Sequence, residues 1–244
     1  MAVINFIFAC IVGILVLFGS LVFGIINFWI IFFPWYKRYR IADAAFITPW
    51  SDFVNKFFLF IKLNVIGKEH VDKKRPTLYI CNHQSWIDIQ IFIRYSHATA
   101  IAKNEVLRIP FVNFLCILAG SLFFDSKSTN ARMIIIKKAI QLFKNGYSLC
   151  LFPEGTRSRN GNLLKPNLSL IKLCYKQNIP VVSASIEGTR FVMPRGSILY
   201  KFFKKVTLKY TPPIYPENFP DEETFAKECW QRVVNTHDEI IAKY

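Results

Sequence analysis

With 244 residues the chain has room for one full core plus appendages, which excludes an array of large domains. Apolar residues make up 52% and aromatics 16%, rich for a soluble protein. The 31 Lys and Arg against 16 Asp and Glu give +15, a charge that attracts anionic polymers and anionic lipid headgroups alike.

From Met1 to Tyr36 there is no charged side chain, a run well beyond the ~20 apolar residues that cross a bilayer core. As one straight helix it measures about 50 Å, against a core of about 30 Å. It must tilt, protrude, or break near Gly19 to Gly24 into a helical hairpin. A cleaved signal would carry a basic start and a shorter apolar run. Lys37, Arg38 and Arg40 follow at once, and basic residues beside a span place the rest of the chain on the cytoplasmic face, of the inner membrane if the source is bacterial. Residues 1–36 therefore form a membrane segment and 37–66 an interfacial helix and linker. In the latter, Phe53 to Leu63 reads as an amphipathic helix with snorkelling lysines, or alternatively as a core helix.

Residues 67–244 change pattern. Strands are predicted at 77–81, 98–102, 121–124, 147–152, 181–186 and 206–210. Helices are predicted from Ser85 to about Tyr95, from Pro110, over 129–145 up to Gly146, near 167–177 and from about Asp221. Alternating strands and helices mean a layered α/β domain. No internal repeat or low-complexity linker interrupts it. The six cysteines (10, 81, 116, 150, 174 and 229) form no Cys-x2-Cys pair, a usage that fits reduced, packed thiols without a zinc cluster.

Two segments carry chemistry. Asn82-His83-Gln84-Ser85-Trp86-Ile87-Asp88 offers a histidine with a nearby carboxylate, the minimum for taking a proton from an alcohol. On a straight helix the five-residue spacing turns by about 140°, so the side chains meet only if His83 lies in the loop and Asp88 in the first turn. Ser85 as N-cap with Asp88 at N3 supports that arrangement; Asp88 as a mere capping carboxylate is the plainer reading. Phe152-Pro153-Glu154-Gly155-Thr156-Arg157-Ser158 supplies a glycine turn with an arginine suited to a phosphate, unless Glu154 and Arg157 simply pair.

Together these blocks, with Lys103-Asn104-Glu105-Val106-Leu107 and Ile109-Pro110 between them, resemble the lysophosphatidic acid acyltransferases, the His-x4-Asp glycerolipid acyltransferases, over about residues 64–215. The resemblance implies an α/β fold with a mixed sheet flanked by helices, preceded by the membrane helix or hairpin. It implies His83 as general base and Asp88 as its orienting partner. Glu154, Gly155, Thr156 and Arg157 would form the acceptor site, with Arg157 on the phosphate and Lys103 assisting. Ser126 stands where the family's second block usually has arginine, with Lys127 beside it, and Ser183 where the fourth block usually has proline.

The implied reaction moves an acyl group from acyl-CoA or an acyl-acyl carrier protein to the free hydroxyl of lysophosphatidic acid, beside an anionic membrane surface. No cofactor or metal is required, and backbone N–H groups at the start of the helix after His83 are candidate oxyanion donors. The rival readings are another lysolipid acceptor, a thioesterase and a non-enzymatic lipid binder. Nucleic acid is not expected, because no binding motif accompanies the charge.

Overall fold

The computed structural model describes residues 2–108, 112–124, 129–197 and 199–243. In chain order its main elements are α1 (Ala2–Ile26), α2 (Trp35–Ala42), α3 (Thr48–Phe53), β1 (Lys62–Ile66), β2 (Leu78–Cys81), α4 (Trp86–Ser96), β3 (Thr99–Lys103) and α5 (Val112–Leu118). There follow β4 (Leu122–Phe124), α6 (Thr129–Lys144), β5 (Leu149–Leu151), α7 (Ser169–Lys176), β6 (Val181–Glu187), α8 (Thr189–Val192), β7 (Lys205–Tyr210) and α9 (Glu222–Ile241). Pro110, Ser126 and Lys127 lie outside the described residues.

The apolar N-terminus is helical to Ile26, and Gly19 and Gly24 lie inside the helix rather than breaking it. Gly19 is a contact point. A Cβ there would sit 2.1 Å from the Trp50 ring, whose Nε1 donates to Ser20 Oγ at 2.8 Å. The break comes later, in a 3-10 turn over Phe28–Phe32 followed by Pro34, whose fixed φ resets the chain for α2. Arg38 satisfies that turn by donating to the carbonyls of Ile31 and Phe33. One face of α1 is packed, with Ala9 and Val12 buried, while Ile11, Ile14, Leu17, Phe18 and Ile25 are exposed.

The seven strands order as β1-β7-β6-β2-β5-β3-β4, with every neighbouring pair parallel except β6–β7. This is the mixed α/β sheet expected. Alternation along β2 shows why it is layered. Leu78 and Ile80 join one core with Leu142, Ile171, Phe225 and Val233 of the helices α6, α7 and α9. Tyr79 and Cys81 join the other with Ile91, Phe92 and Tyr210.

The linker differs from expectation. Helical structure after α3 continues only as a π turn over Val54–Phe58, and Lys62–Ile66 is strand β1, hydrogen-bonded to β7. Its exposed Lys62, Asn64 and Ile66 alternate with half-buried Leu63 and Val65, a period of two that five residues barely reveal. The sheet therefore starts at Lys62, inside the stretch read as linker. The preceding turns serve both readings of that stretch, since Val54 and Asn55 are buried while Phe53, Lys56 and Phe57 are exposed.

Candidate active site

Because β5 and β6 run parallel to β2, and β3 parallel to β5, their carboxyl ends gather along one edge of the sheet. His83 follows β2 there. Ser85, in extended conformation (φ −146°), caps α4, and Asp88 completes a capping box from the first turn. The geometry resolves the spacing problem. His83 lies in the loop, Asp88 on the helix, and Nδ1 of the ring is 2.9 Å from Asp88 Oδ2.

Asp88 is fully buried and each oxygen is committed. Oδ2 also accepts the backbone N–H groups of Gln84 (2.5 Å) and Ser85 (2.7 Å), and Oδ1 accepts the Thr189 hydroxyl. A carboxylate so held accepts the Nδ1–H of His83 and leaves Nε2 with a free lone pair. The imidazole face lies on Phe152, with centroids 4.2 Å apart and 20° between the planes. Those bonds narrow one expectation. The N–H groups of Gln84 and Ser85 are spent on Asp88, that of Ile87 on Ser85 Oγ and that of Asp88 on the Ser85 carbonyl, which leaves the N–H of Trp86, the first residue of α4, as the candidate oxyanion donor there.

The residues flanking His83 are anchored to β6. Asn82 brackets Ile186, accepting its N–H at 2.8 Å and donating to its carbonyl at 3.0 Å. Gln84 Nε2 donates to buried Glu187 at 2.5 Å. Glu187 pairs in turn with Arg190 at 3.0 Å, and Arg190 donates to the carbonyl of Asn160 at 2.7 Å. Gly161 admits that guanidinium, since a Cβ on it would lie 1.2 Å from Arg190 Nη1. These braces fix the histidine loop against the loop after β5 from behind.

That second loop places the remaining candidates. Glu154 is buried, and its two oxygens accept the N–H groups of His83 and Leu164, each at 2.9 Å. Burial pushes its carboxyl up to about 7, opposed by those two hydrogen bonds. It ties the two loops together. Gly155 turns through φ +64°, and Gly155 and Thr156 are exposed. Arg157 stacks on Trp86, with its guanidinium carbon 4.6 Å from a ring centroid, beside the histidine loop. Burial, and then the nearby Arg195, pull its pKa down. The Ser158 N–H donates to the His83 carbonyl at 2.7 Å, so both loops move as one.

Lys103 ends β3 on the same edge. β3 stands two places from β2, about 10 Å at ~4.8 Å per strand. His83, Asp88, Glu154 and Arg157 are thus brought together, and Lys103 stands to one side. Sequence reasoning passed over Glu187, Thr189 and Arg190. A signal was available: Glu187-Gly188-Thr189-Arg190 has the same letters as Glu154-Gly155-Thr156-Arg157, one tetrapeptide at the end of each strand that flanks β2.

A family model described as Acyltransferase matches residues 62–187, beginning at the first residue of β1. Among curated proteins, the 1-acyl-sn-glycerol-3-phosphate acyltransferase of Limnanthes douglasii is 28% identical over 212 residues, 84% of this chain and 72% of that one. The enzyme of that name from Borreliella burgdorferi is 34% identical over 132 residues, 53% of this chain and 52% of its own length. Among solved structures, the 1-acyl-sn-glycerophosphate acyltransferase PlsC of Thermotoga maritima superposes with a TM-score of 0.80 at 26% identity. That match covers 98% of this chain and 99% of the other.

Proposed function

The chain belongs to the Acyltransferase family, and we propose that it acts there on lysophosphatidic acid, moving a fatty acyl group from an acyl thioester to the free hydroxyl and giving phosphatidic acid. One observation carries this reading: the His83–Asp88 pair at 2.9 Å, with Nε2 free and Arg157 across the histidine loop. His83 Nε2 takes the proton of the acceptor hydroxyl as its oxygen attacks the thioester carbonyl. The tetrahedral intermediate collapses with cleavage of the C–S bond, and the imidazolium returns its proton to the departing thiolate. Asp88 holds the ring in its tautomer and stabilises the imidazolium through the step.

Base catalysis of this kind contributes roughly 10²–10⁴ in rate, and positioning of two bound substrates supplies more. Arg157 holds the acceptor's phosphate, its guanidinium offering paired N–H donors already oriented by Trp86. Coenzyme A or an acyl carrier protein delivers the acyl group. Arg159, Lys165 and Arg195 around the same loop give an anionic carrier a cationic approach.

The acceptor is a membrane lipid, and α1 gives the enzyme its hold there. Among the described side chains, its exposed face is apolar while its inner face packs on the domain. The helix rests in the bilayer with the α/β unit against it, on the cytoplasmic side that the lysine and arginine cluster after residue 36 favours.

The test is acyl transfer by wild type and His83→Ala, with a labelled acyl thioester and a panel of lysolipids in detergent. Phosphatidic acid is expected from wild type, reduced about 10²–10⁴-fold in the variant. Product from another lysolipid alone would move the acceptor, free fatty acid would make the enzyme a thioesterase, and no His83-dependent transfer would end the reading.

A further inference from the structure

Phe60, just before β1, and Phe203, just before β7, share an unusual combination of properties. Both sit at positive φ, 50° and 57°, in the left-handed region that bulky residues seldom enter. Their rings stack with centroids 4.9 Å apart and 15° between the planes. The stack faces outward, since Phe203 is 74% exposed and Phe60 41%. It is also held firmly. The Phe203 N–H donates to the Leu59 carbonyl at 3.3 Å, and the Lys62 N–H to the Lys204 carbonyl at 2.9 Å.

The surroundings define what such a tip meets. No acidic residue occurs from Phe53 through Lys68 or from Gly188 through Pro216, while Lys62, Lys201 and Lys204 flank the rings. The neighbouring Phe202 packs against Phe8 of α1 at 4.8 Å, so the tip extends the exposed apolar face of that helix. β7 runs antiparallel to β6, and β1 parallel to β7, so both begin on the edge where β2 and β6 end. The rings thus stand on the catalytic edge, Phe203 two strands and Phe60 three strands from β2, about 10 to 14 Å at ~4.8 Å per strand.

We propose that the Phe60–Phe203 stack, with Lys62, Lys201 and Lys204, is a second membrane contact that docks the catalytic edge onto an anionic bilayer. The rings enter the boundary between headgroups and acyl chains, and the ammonium groups lie among lipid phosphates. Helix α1 alone fixes only one line of contact; a second point beside it sets the tilt of the domain and turns His83 toward the membrane plane. The purpose of the contact rests on the acyltransferase reading, whereas its existence does not.

Phe203→Trp in the full chain tests the contact directly. The protein is placed in vesicles of phosphatidylglycerol and phosphatidylcholine carrying a nitroxide near the headgroup, and the added emission is read as the difference from wild type. Blue-shifted emission quenched by the nitroxide is expected, more strongly than in phosphatidylcholine alone. Water-like, unquenched emission would overturn the proposal. In a second variant, Phe60→Ser with Phe203→Ser, transfer to a vesicle-borne lysolipid is expected to fall about tenfold while transfer in detergent micelles is kept. Equal activity in vesicles, or a dimer that the double variant turns into a monomer, would overturn it, the latter by assigning the surface to a second copy. Should the double variant fail to fold, the tryptophan result decides. A wild type inactive in micelles would remove the acyltransferase reading and leave the quenching result standing.

Discussion

Glu154-Gly155-Thr156-Arg157 and Glu187-Gly188-Thr189-Arg190 are the same four residues at the ends of strands that flank β2 on either side. In both, the glycine is at positive φ, 64° and 96°, and the glutamate is buried. Beyond that they part. Thr156 is exposed, but Thr189 is buried with its hydroxyl on Asp88. Arg157 lies over Trp86 at the open side, whereas Arg190 turns back to Glu187 and to the Asn160 carbonyl. One copy is left at the open side and the other is a brace behind His83. The difference lies in what surrounds each turn. The turn after β6 has the His83 loop and the 158–161 loop packed over it, and the side chains of Glu187, Thr189 and Arg190 pair with protein groups.

Matched substitutions break that comparison if it is wrong. The largest contrast is between the arginines. Arg157→Gln is expected to raise the KM for the acceptor by about ten- to a hundredfold, the worth of a charge-assisted bond to phosphate, with little change in the KM of the thioester. Arg190→Gln is expected to lower Tm and leave the acceptor KM near wild type. Steady-state kinetics with each substrate varied, alongside thermal unfolding, checks both. Equal KM effects would make the two turns equivalent.

The threonines come next. Thr189→Val removes a donor from a buried carboxylate oxygen and is expected to cost about tenfold in kcat, together with a lower Tm. Thr156→Val, at an exposed position, is expected to leave kcat within about twofold. A Thr189 variant with full activity would show that Asp88 orients His83 without help from the brace.

The smallest effect sharpens the glutamates. Glu154 titrates at about 7 in the fold, against an ordinary value of 4.5. Between those values the folded protein keeps a proton that the unfolded chain has released. The stability tied to Glu154 is therefore complete below about pH 4.5 and is lost as pH rises toward about 7. Glu154→Gln cannot titrate, so the Tm of wild type minus that of the variant is expected to fall across this window. Parallel Tm curves would remove burial as the governing influence on Glu154.

Much of the fold was readable from local pattern, because the strands from β2 to β7 are short buried runs bounded by turns. β1 was not. Its five residues follow a helical stretch and pair with a strand some 140 residues later, information that no local window holds. The break in the N-terminal segment was misplaced for a related reason. Gly19 looks like a flexible joint until Trp50 is seen packed against it.

The sequence by itself determined that His83 and Asp88 would meet. His83 and Asp88 are joined by one loop and one capped helical turn, so chain connectivity alone brings them within hydrogen-bond reach. It also determined the apolar N-terminal helix, which is long enough by composition to cross a membrane. Only the tertiary structure decided which threonine and arginine are tied to Asp88 and Glu187 and which stay at the open side. Two identical tetrapeptides share every local propensity, and what separates them is burial: a polar group shut away from water must take whatever partner the packing provides.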